Sequence, residues 1–327
     1  MLRICLPLAL ALSLSLAGLI SAGDSPAAPA PAPAAGGGPS SAAAPGPEAT
    51  LKTWVKAVRT NDLAALYHAL PAIQRAALER TWTMQCLTPD ADADLQVTTT
   101  LALLLSPSGT DLLVARASPQ LLAINPQDLV IGLQQVGGFL ALAGSQPKPA
   151  AGAPAIDYQA AQAFLADIGA WIPTAGLTDQ GKLRSAIGHL ILAAKALGVK
   201  NATEIRALKI EDLVRRLGMT LDDLKAAVMV YGLDVNALLD SVAISVLDAA
   251  GEQRNVTIAY TAFGHSHVIP VKMVHKNEAW VLAEGKDSPF APFSQLLLLG
   301  MTMSDALAPA PAPRAAPAAG GGGQPPL

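Results

Sequence analysis

The chain has 327 residues, of which 51% are hydrophobic, 14% are charged and only 4% are aromatic. A formal net charge of -3 at pH 7 provides no positive field to hold phosphates, which argues against nucleic acids and anionic lipid headgroups as partners. A folded part of about 250 residues is large enough to bury roughly three quarters of its unfolded surface, so packing alone can stabilise it.

The first 23 residues have the order of a secretory signal peptide. Arg3 precedes an apolar run over residues 4–20, and small residues then offer a cleavage site before Gly23. We therefore expect the chain to be exported, either to the periplasm or out of the cell. The alternative is an uncleaved signal that anchors the chain in the inner membrane through residues 4–20, because this run is close to the length of a short membrane span.

Segments rich in proline, alanine and glycine flank the folded part. Residues 24–47 and 308–327 lack the apolar surface needed to offset the entropy of ordering, which predicts a disordered linker and a disordered tail. The globular domain is predicted over residues 48–307. A shorter break at residues 145–154 is interpreted as a loop within this domain, with two domains as the alternative. After signal cleavage Cys86 is the only cysteine, which excludes an intrachain disulfide.

Helix start and stop signals dominate the chain from Pro47 to Gly251. Asn61 is predicted to cap a helix over residues 63–70, and Gly198, Gly218 and Gly232 are each predicted to end a helix. Asn201, Thr220 and Asp234 are predicted to cap the helices that follow these glycines. Further helices are predicted from residue 126 onward and at residues 156–172 and 178–197.

After Gly251 the apolar pattern changes from the period of a helix to the period of a strand. Residues 255–284 are predicted to form a three-stranded antiparallel meander, with Phe263 paired to Val268 across a turn. Pro270 lacks a backbone donor, which indicates that the middle strand is irregular or that its N–H side is unpaired there. The predicted fold class is therefore α+β and predominantly helical, a multi-helix domain with a C-terminal three-stranded sheet.

A segment between two predicted helices partly matches a P-loop. Gly176, Gly181 and Lys182 have the required spacing, but Leu183 replaces the hydroxyl residue that would hold magnesium, and no strand precedes the segment. We interpret it as a loop that leads into a helix, and no cofactor is predicted.

The predicted hairpin tip resembles a hydrolase nucleophile elbow at Gly264, Ser266 and the histidines on either side of that serine. Val268 replaces the second glycine of the motif, and the context is strand to strand rather than strand to helix. These departures argue against a serine hydrolase, and no catalytic residue is predicted.

Three of the five histidines lie in or near this hairpin: His265, His267 and His275. Residues at i and i+2 of a strand share one face, so His265 and His267 are weak candidates for binding a ligand or a metal. A solvated hairpin turn is the favoured interpretation of these histidines, and His275 is expected at the opposite end of its strand. No metal site is predicted.

Two segments resemble one known superfamily. Residues 49–70, ATLKTWVKAVRTNDLAALYHAL, and residues 256–285, VTIAYTAFGHSHVIPVKMVHKNEAWVLAEG, resemble the opening helices and closing strands of nuclear transport factor two-like (SnoaL-like, cystatin-like) domains of exported bacterial proteins. The resemblance implies a curved sheet packed on helices, used for binding small molecules or for dimerisation and sometimes for catalysis. No catalytic residue of that superfamily maps onto this sequence.

These observations lead to one expected function and two alternatives. We expect an exported, non-enzymatic binding or assembly module whose partner is an unknown protein or a small apolar ligand. Nucleic acid is not expected as a partner, and a membrane is expected only through an uncleaved signal anchor. The alternatives are an enzyme or metal-binding protein that uses the hairpin histidines, and a structural protein of the cell envelope.

Overall fold

The computed structural model describes residues 45–123, 125–145, 158–248, 251–276 and 279–283. All of them belong to the first of two compact units, Met1–Pro289 and Phe290–Leu327. The predicted signal peptide, nearly all of the predicted linker and the predicted tail lie outside the described residues. The predicted break at residues 145–154 also lies outside them, apart from its first residue.

In the described ranges the helices precede a C-terminal antiparallel sheet, which confirms the α+β, predominantly helical class. The helices are α1 (Pro47–Arg59), α2 (Leu63–Ala69), α3 (Ala72–Leu87), α4 (Ala91–Leu105), α5 (Gly109–Leu122), α6 (Pro126–Ser145), α7 (Tyr158–Ala175), α8 (Gln180–Leu197), α9 (Ala202–Arg206), α10 (Ile210–Met229) and α11 (Val235–Asp240). The strands are β1 (Ala243–Val246), β2 (Gln253–Ala262), β3 (His265–Lys276) and β4 (Ala279–Leu282).

None of these described helices is by itself long and apolar enough to cross a bilayer. Helix α4 and the Gly109–Pro119 part of α5 reach the required length and apolarity only as a pair, and the pair is bent by 116°.

Several helix ends have the predicted caps. Gly198 follows α8 with a φ of 68°, a left-handed conformation that glycine adopts without steric cost. The side chains of Asn201 and Asp234 accept backbone N–H groups at the starts of α9 and α11. The predicted cap of α2 is wrong by one residue, because Asn61 takes a φ of 61° and Asp62 accepts the N–H of Ala65 instead.

Thr220 lies inside α10, so the prediction that it caps a new helix is wrong. The prediction that Gly218 ends a helix is wrong for the same reason, because Gly218 also lies inside α10. A Cβ atom at this position would stand 2.5 Å from the carbonyl oxygen of Asn61, so the glycine lets α10 approach the connection between α1 and α2. Lys225, two turns further along α10, donates from Nζ to the carbonyl oxygens of Val58 and Arg59 and to Oδ1 of Asn61. Burial lowers the pKa of Lys225. These contacts fix the end of α1.

The sheet is an antiparallel meander in the order β1–β2–β3–β4. Strand β1 precedes the three predicted strands, and its four residues are too few to show a clear alternation. Strand β4 pairs only with residues 273–276 of β3. The part of β3 that contains Pro270 therefore has β2 as its one paired neighbour among the described strands, consistent with the predicted unpaired N–H side.

The apolar face of the sheet packs beneath α1. Leu51 of α1 shares one core cluster with Val256, Val271, Met273 and Trp280. Val256 and Met273 have 0% of their surface exposed. Burial of this kind stabilises a fold by about 1.5–3 kcal/mol for each large apolar side chain.

Helix α7 connects the helical part of the fold to the tip of the hairpin. Gln162 donates to the carbonyl oxygen of Gly137, and Gly169 approaches Val130, so α7 lies antiparallel to α6. Further along α7, Nε1 of Trp171 donates to the carbonyl oxygen of Tyr231 in the connection between α10 and α11.

Candidate functional site

A cleft of about 700 Å³ lies beside the tip of the β2–β3 hairpin. Its walls come from the C-terminal half of α7, the connection between α10 and α11, α11 itself and the hairpin tip. Trp171 and Phe263 provide aromatic surface, while Asp167, Asp234 and His265 provide the titratable groups of the lining. The cleft therefore combines apolar walls with six polar or charged lining residues, among them Asp167, Asp234 and His265.

Hydrogen bonds hold the far wall of the cleft in place. Gly232 turns the chain after α10 with a φ of 86°, next to the carbonyl of Tyr231 that accepts the indole N–H of Trp171. The hydroxyl of Ser241 accepts the N–H of Thr261 at 2.8 Å and ties the end of α11 to β2. Side-chain-to-backbone hydrogen bonds thus join α7 to the α10–α11 connection and α11 to the hairpin around the cleft.

The hairpin turn is tighter than predicted. Ala262 pairs with His265, so the turn consists of Phe263 and Gly264 alone, and the predicted pairing of Phe263 with Val268 is wrong. Both turn residues have positive φ, 53° for Phe263 and 83° for Gly264, as the right-handed twist of the strands requires of a two-residue turn. A bulky residue rarely takes this conformation.

Aromatic packing explains why Phe263 adopts a positive φ. The ring of Phe263 lies 5.7 Å from the ring of Trp171 and 6.1 Å from the ring of Phe164, measured between centroids. Each aromatic pair contributes about 0.5–1.5 kcal/mol beyond its burial. This offsets a left-handed conformation that costs about 1–2 kcal/mol.

Asp167 of α7 binds both histidines of the hairpin tip. The Oδ1 atom of Asp167 lies 2.6 Å from Nδ1 of His265, and the Oδ2 atom lies 3.2 Å from Nε2 of His267. The side chain of Asp167 is 14% exposed and that of His267 only 6%, whereas the side chain of His265 is 66% exposed. One carboxylate therefore joins a buried imidazole to an exposed one.

The expectation of a solvated turn is wrong for His267, which is only 7% exposed, although it holds for His265. His267 is enclosed by aromatic rings. It stacks on Tyr260 at a centroid distance of 5.4 Å and meets the edge of Phe164 at the same distance. Its Nε2 atom is close to Asp167 but at an angle that does not make a hydrogen bond, so the contact is electrostatic. Burial also raises the pKa of Tyr260.

The structure brings together two of the three candidate histidines. His265 and His267 lie on one face of β3, as predicted, and both contact Asp167. His275 lies at the other end of β3, opposite Trp280, and the centroids of these two rings are 5.1 Å apart. The expected separation of His275 from the tip is confirmed.

Asp167 was not among the predicted site residues. A signal for it exists in the sequence, because it is the only charged residue in α7, a helix rich in alanine and other apolar residues. A lone carboxylate in such a helix is costly to bury without a partner, so it indicates that a cation or a hydrogen-bond donor lies opposite. The sequence does not indicate that the donors are His265 and His267.

The three side chains do not fit a metal ion as they are placed. Zinc ligands lie about 2.0–2.2 Å from the ion, which separates their donor atoms by roughly 3 Å or more. The 2.6 Å between Asp167 and His265 is a direct contact between donor atoms, with no room for an ion. In the described parts of the chain, no group of three histidine, cysteine, aspartate or glutamate side chains is arranged to hold a metal.

The partial P-loop has a structural role. Asp179 caps α8 by accepting the N–H groups of Gly181 and Lys182. The ammonium of Lys182 donates to the carbonyl oxygen of Ala175 at the end of α7. The segment is a loop between two helices, as predicted, and its lysine is used to hold that loop.

The hydrolase-like tip also differs from a nucleophile elbow. Ser266 is a strand residue that pairs with Thr261, and β3 continues from it as far as Lys276. No helix N-terminus follows the serine to supply the dipole of an elbow.

No protein-family model matches the chain, and no curated protein or solved structure matches it either. The resemblance of residues 49–70 and 256–285 to nuclear transport factor two-like domains therefore gains no independent support. Function has to be inferred from the geometry of the cleft and its lining.

Proposed function

We propose that the chain is an exported module that binds a small molecule in the cleft beside the β2–β3 hairpin. The observation that carries this proposal is the cleft itself, about 700 Å³ in volume and lined by Trp171 and Phe263 together with a few polar groups. Ligand sites in proteins have volumes of about 300–1,000 Å³ and this mixture of apolar walls and sparse polar groups.

The lining also indicates what kind of molecule fits. Asp167 and Asp234 bring two carboxylates to the cleft, and neither lysine nor arginine lines the part of it that the structure describes. An aromatic or apolar ligand that is neutral or positively charged is therefore favoured over an anion, because the carboxylates would repel an anion in this partly desolvated place. Trp171 and Phe263 offer flat surfaces for the apolar part of such a ligand.

The strained turn supports a binding role. Phe263 is held with a positive φ at the point where its ring forms a wall of the cleft. Residues in rarely populated backbone conformations cluster at ligand sites, where the surrounding structure holds them in place.

Packing of the two superfamily-like segments supports a sheet-and-helix binding module. Leu51 and Trp54 of α1 contact the apolar face of the sheet formed by β2 and β3. We therefore retain the nuclear transport factor two-like resemblance as a proposal for α1 and the sheet. Helices α7 and α11, which form the other walls of the cleft, lie outside that resemblance.

Export is part of the proposal and rests on the first 23 residues. Intact-mass measurement of the chain recovered from the periplasm should give a product that begins at Gly23. A chain that still begins at Met1 and fractionates with the inner membrane would show that residues 4–20 act as an anchor instead.

Binding is tested with three aromatic fragments of different charge: benzyl alcohol, benzylamine and benzoate. Saturation-transfer NMR on the mature chain should show binding of the first two and weaker binding of benzoate. Ala170→Trp fills the cleft from the exposed side of α7 and should abolish binding. Ala163→Trp is the matched control, because Ala163 is an exposed residue of the same helix outside the cleft lining.

Two results would contradict the binding proposal. One is the absence of a signal from all three fragments, and the other is equal binding by the native chain and by Ala170→Trp. Thermal unfolding of both tryptophan variants checks that each remains folded.

A further inference from the structure

We propose that Asp167 and His265 form a general-base pair that activates water for the hydrolysis of an ester bound in the cleft. This inference rests on the proposed binding function, since both residues line the same cleft. It adds a reaction to the site, which binding alone does not require.

The contact between the two side chains determines which imidazole nitrogen carries the proton. Nδ1 of His265 lies 2.6 Å from Oδ1 of Asp167, and a bare nitrogen lone pair would face a carboxylate oxygen at that distance, so the proton is favoured on Nδ1. The neutral ring then has its lone pair on Nε2, the atom on the side of the ring opposite to Asp167. A carboxylate that orients an imidazole in this way also stabilises the imidazolium formed when Nε2 takes a proton.

The exposed fractions of Asp167 and His265 suit the roles of orienting group and base. The carboxylate of Asp167 is 14% exposed, so its charge is poorly screened by solvent and acts strongly on the ring. His265 is 66% exposed, which leaves it accessible to water and to a ligand in the cleft. A buried orienting group beside an accessible base is the arrangement that general-base catalysis needs.

His267 and the turn hold this pair in position. His267 approaches the second oxygen of Asp167 at 3.2 Å, so the carboxylate is contacted on both oxygens. Phe263 and Gly264 immediately precede His265, and the ring of Phe263 packs on Trp171 of the helix that carries Asp167. The backbone before His265 is thereby tied to α7. We assign His267 and Asp167 as positioning residues and His265 as the base.

The reaction balances without a cofactor. A water molecule attacks the ester carbonyl carbon while Nε2 of His265 takes one of its protons, and the carbonyl π electrons become a lone pair on oxygen. When the tetrahedral intermediate collapses, the bond to the alcohol oxygen breaks and that oxygen takes the proton from Nε2. One water is consumed, one acid and one alcohol are released, and His265 returns to its neutral form.

The cleft lining specifies the substrate class. An uncharged or positively charged ester with an aromatic group places its ring against Trp171 and Phe263. An anionic ester is disfavoured by Asp167 and Asp234 for the same electrostatic reason as an anionic ligand.

The test uses p-nitrophenyl acetate with the mature chain. The native chain should show saturable hydrolysis, and His265→Ala should lower kcat by about 100-fold or more, the usual contribution of a general base. His275→Ala is the matched control, because it removes a histidine from the same strand at the far end from the cleft and should leave kcat unchanged. Since His265 is largely exposed, its alanine variant should fold normally.

Asp167→Asn tests the positioning role. It should lower kcat at least 10-fold with little change in KM, because the base is misoriented while the cleft keeps its shape. A loss of thermal stability with a parallel rise in KM would show instead that Asp167 has only a structural role, and would overturn its assignment.

The two proposals fail separately. If benzyl alcohol binds but hydrolysis is not saturable, or if His265→Ala hydrolyses the ester as fast as the native chain, the general-base pair is refuted and the binding function stands. If the fragments do not bind and hydrolysis is also absent, both are refuted. Saturable hydrolysis that depends on His265 but not on His275 supports both.

Discussion

The two ends of the β2–β3 hairpin use the same strand face for different purposes. Successive residues of a strand alternate between faces, so His265 and His267 at the tip share a face with Val271 and Met273 at the base. At the base this face packs against α1 and is fully apolar at its centre, with Met273 completely buried. At the tip it meets α7, which presents a carboxylate and aromatic rings.

The difference between the two ends comes from the covering helix. Helix α1 offers Leu51 and Trp54 to the sheet, so burial is the main interaction there. Helix α7 offers Asp167, so the tip contains an electrostatic contact and an open cleft beside it. The base of the hairpin is thus buried beneath a helix, whereas the tip borders an open cleft.

The largest expected effect is at the base. Met273→Ala removes a completely buried side chain and should lower the free energy of unfolding by about 2–5 kcal/mol, because transfer and cavity costs add. Val268→Ala, near the tip on the exposed face, should change it by less than about 0.5 kcal/mol. Urea denaturation of the two variants measures both changes in unfolding free energy. Similar losses for the two would remove the distinction between base and tip.

Gly218→Ala tests the support of α1, the helix that covers the base. Its new Cβ would stand 2.5 Å from a backbone oxygen, so we expect a loss of about 1–3 kcal/mol in unfolding free energy. Gly188→Ala in α8 is the control, since nothing lies within 4 Å of its Cβ and the added methyl should stabilise the helix by about 0.5–1 kcal/mol. If Gly218→Ala were equally stabilising, the close approach of α10 to Asn61 would be wrong.

At the tip, comparing the stability of Phe263→Asn with that of Phe263→Ala distinguishes the cost of backbone strain from the loss of ring packing. Both variants lose the ring contacts with Trp171 and Phe164, but only asparagine tolerates a positive φ well. Phe263→Asn should therefore cost less than about 1 kcal/mol, and Phe263→Ala should cost more. Thermal unfolding ranks the two. If alanine were the less damaging substitution, strain in the turn would not be significant.

The smallest effect is a pH dependence at the tip. Because burial raises the pKa of Tyr260 in the folded chain, the folded state holds this proton more strongly than the unfolded state. The associated stability is complete below the unfolded value of about 10 and is lost as the pH rises through the folded value. Tyr260→Phe should make the decline in stability above pH ~10 shallower. An unchanged slope in denaturation curves at alkaline pH would contradict this.

Sequence reasoning found three of the four described strands and most of the described helices, because their signals are local. It missed β1, whose four residues show no clear alternation. Alternation placed His265 and His267 on one face, and capping residues such as Asn201 and Asp234 marked helix starts correctly. It misplaced the end of a helix at Gly218, since glycine favours both a left-handed cap and a close approach between backbones. Only the contact with Asn61 distinguishes these two uses.

Only the histidines of the candidate site could be predicted, because sequence signals act over a short stretch of chain. Its histidines share one short segment of chain, whereas Asp167 precedes His265 by nearly one hundred residues. No local pattern relates such distant positions. The turn was also misjudged, because Phe263 accepts a positive φ only with Trp171 and Phe164 packed against its ring.

The sequence by itself determined the fold class, the order of helices before strands and the face on which the histidines lie, since periodicity and capping act over a few residues. The tertiary structure alone decided that α7 covers the tip, that Asp167 joins His265 to His267, and that a cleft opens beside them. These features depend on which distant surfaces pack together. Packing of that kind is set by the shape and burial of the whole chain rather than by any one segment.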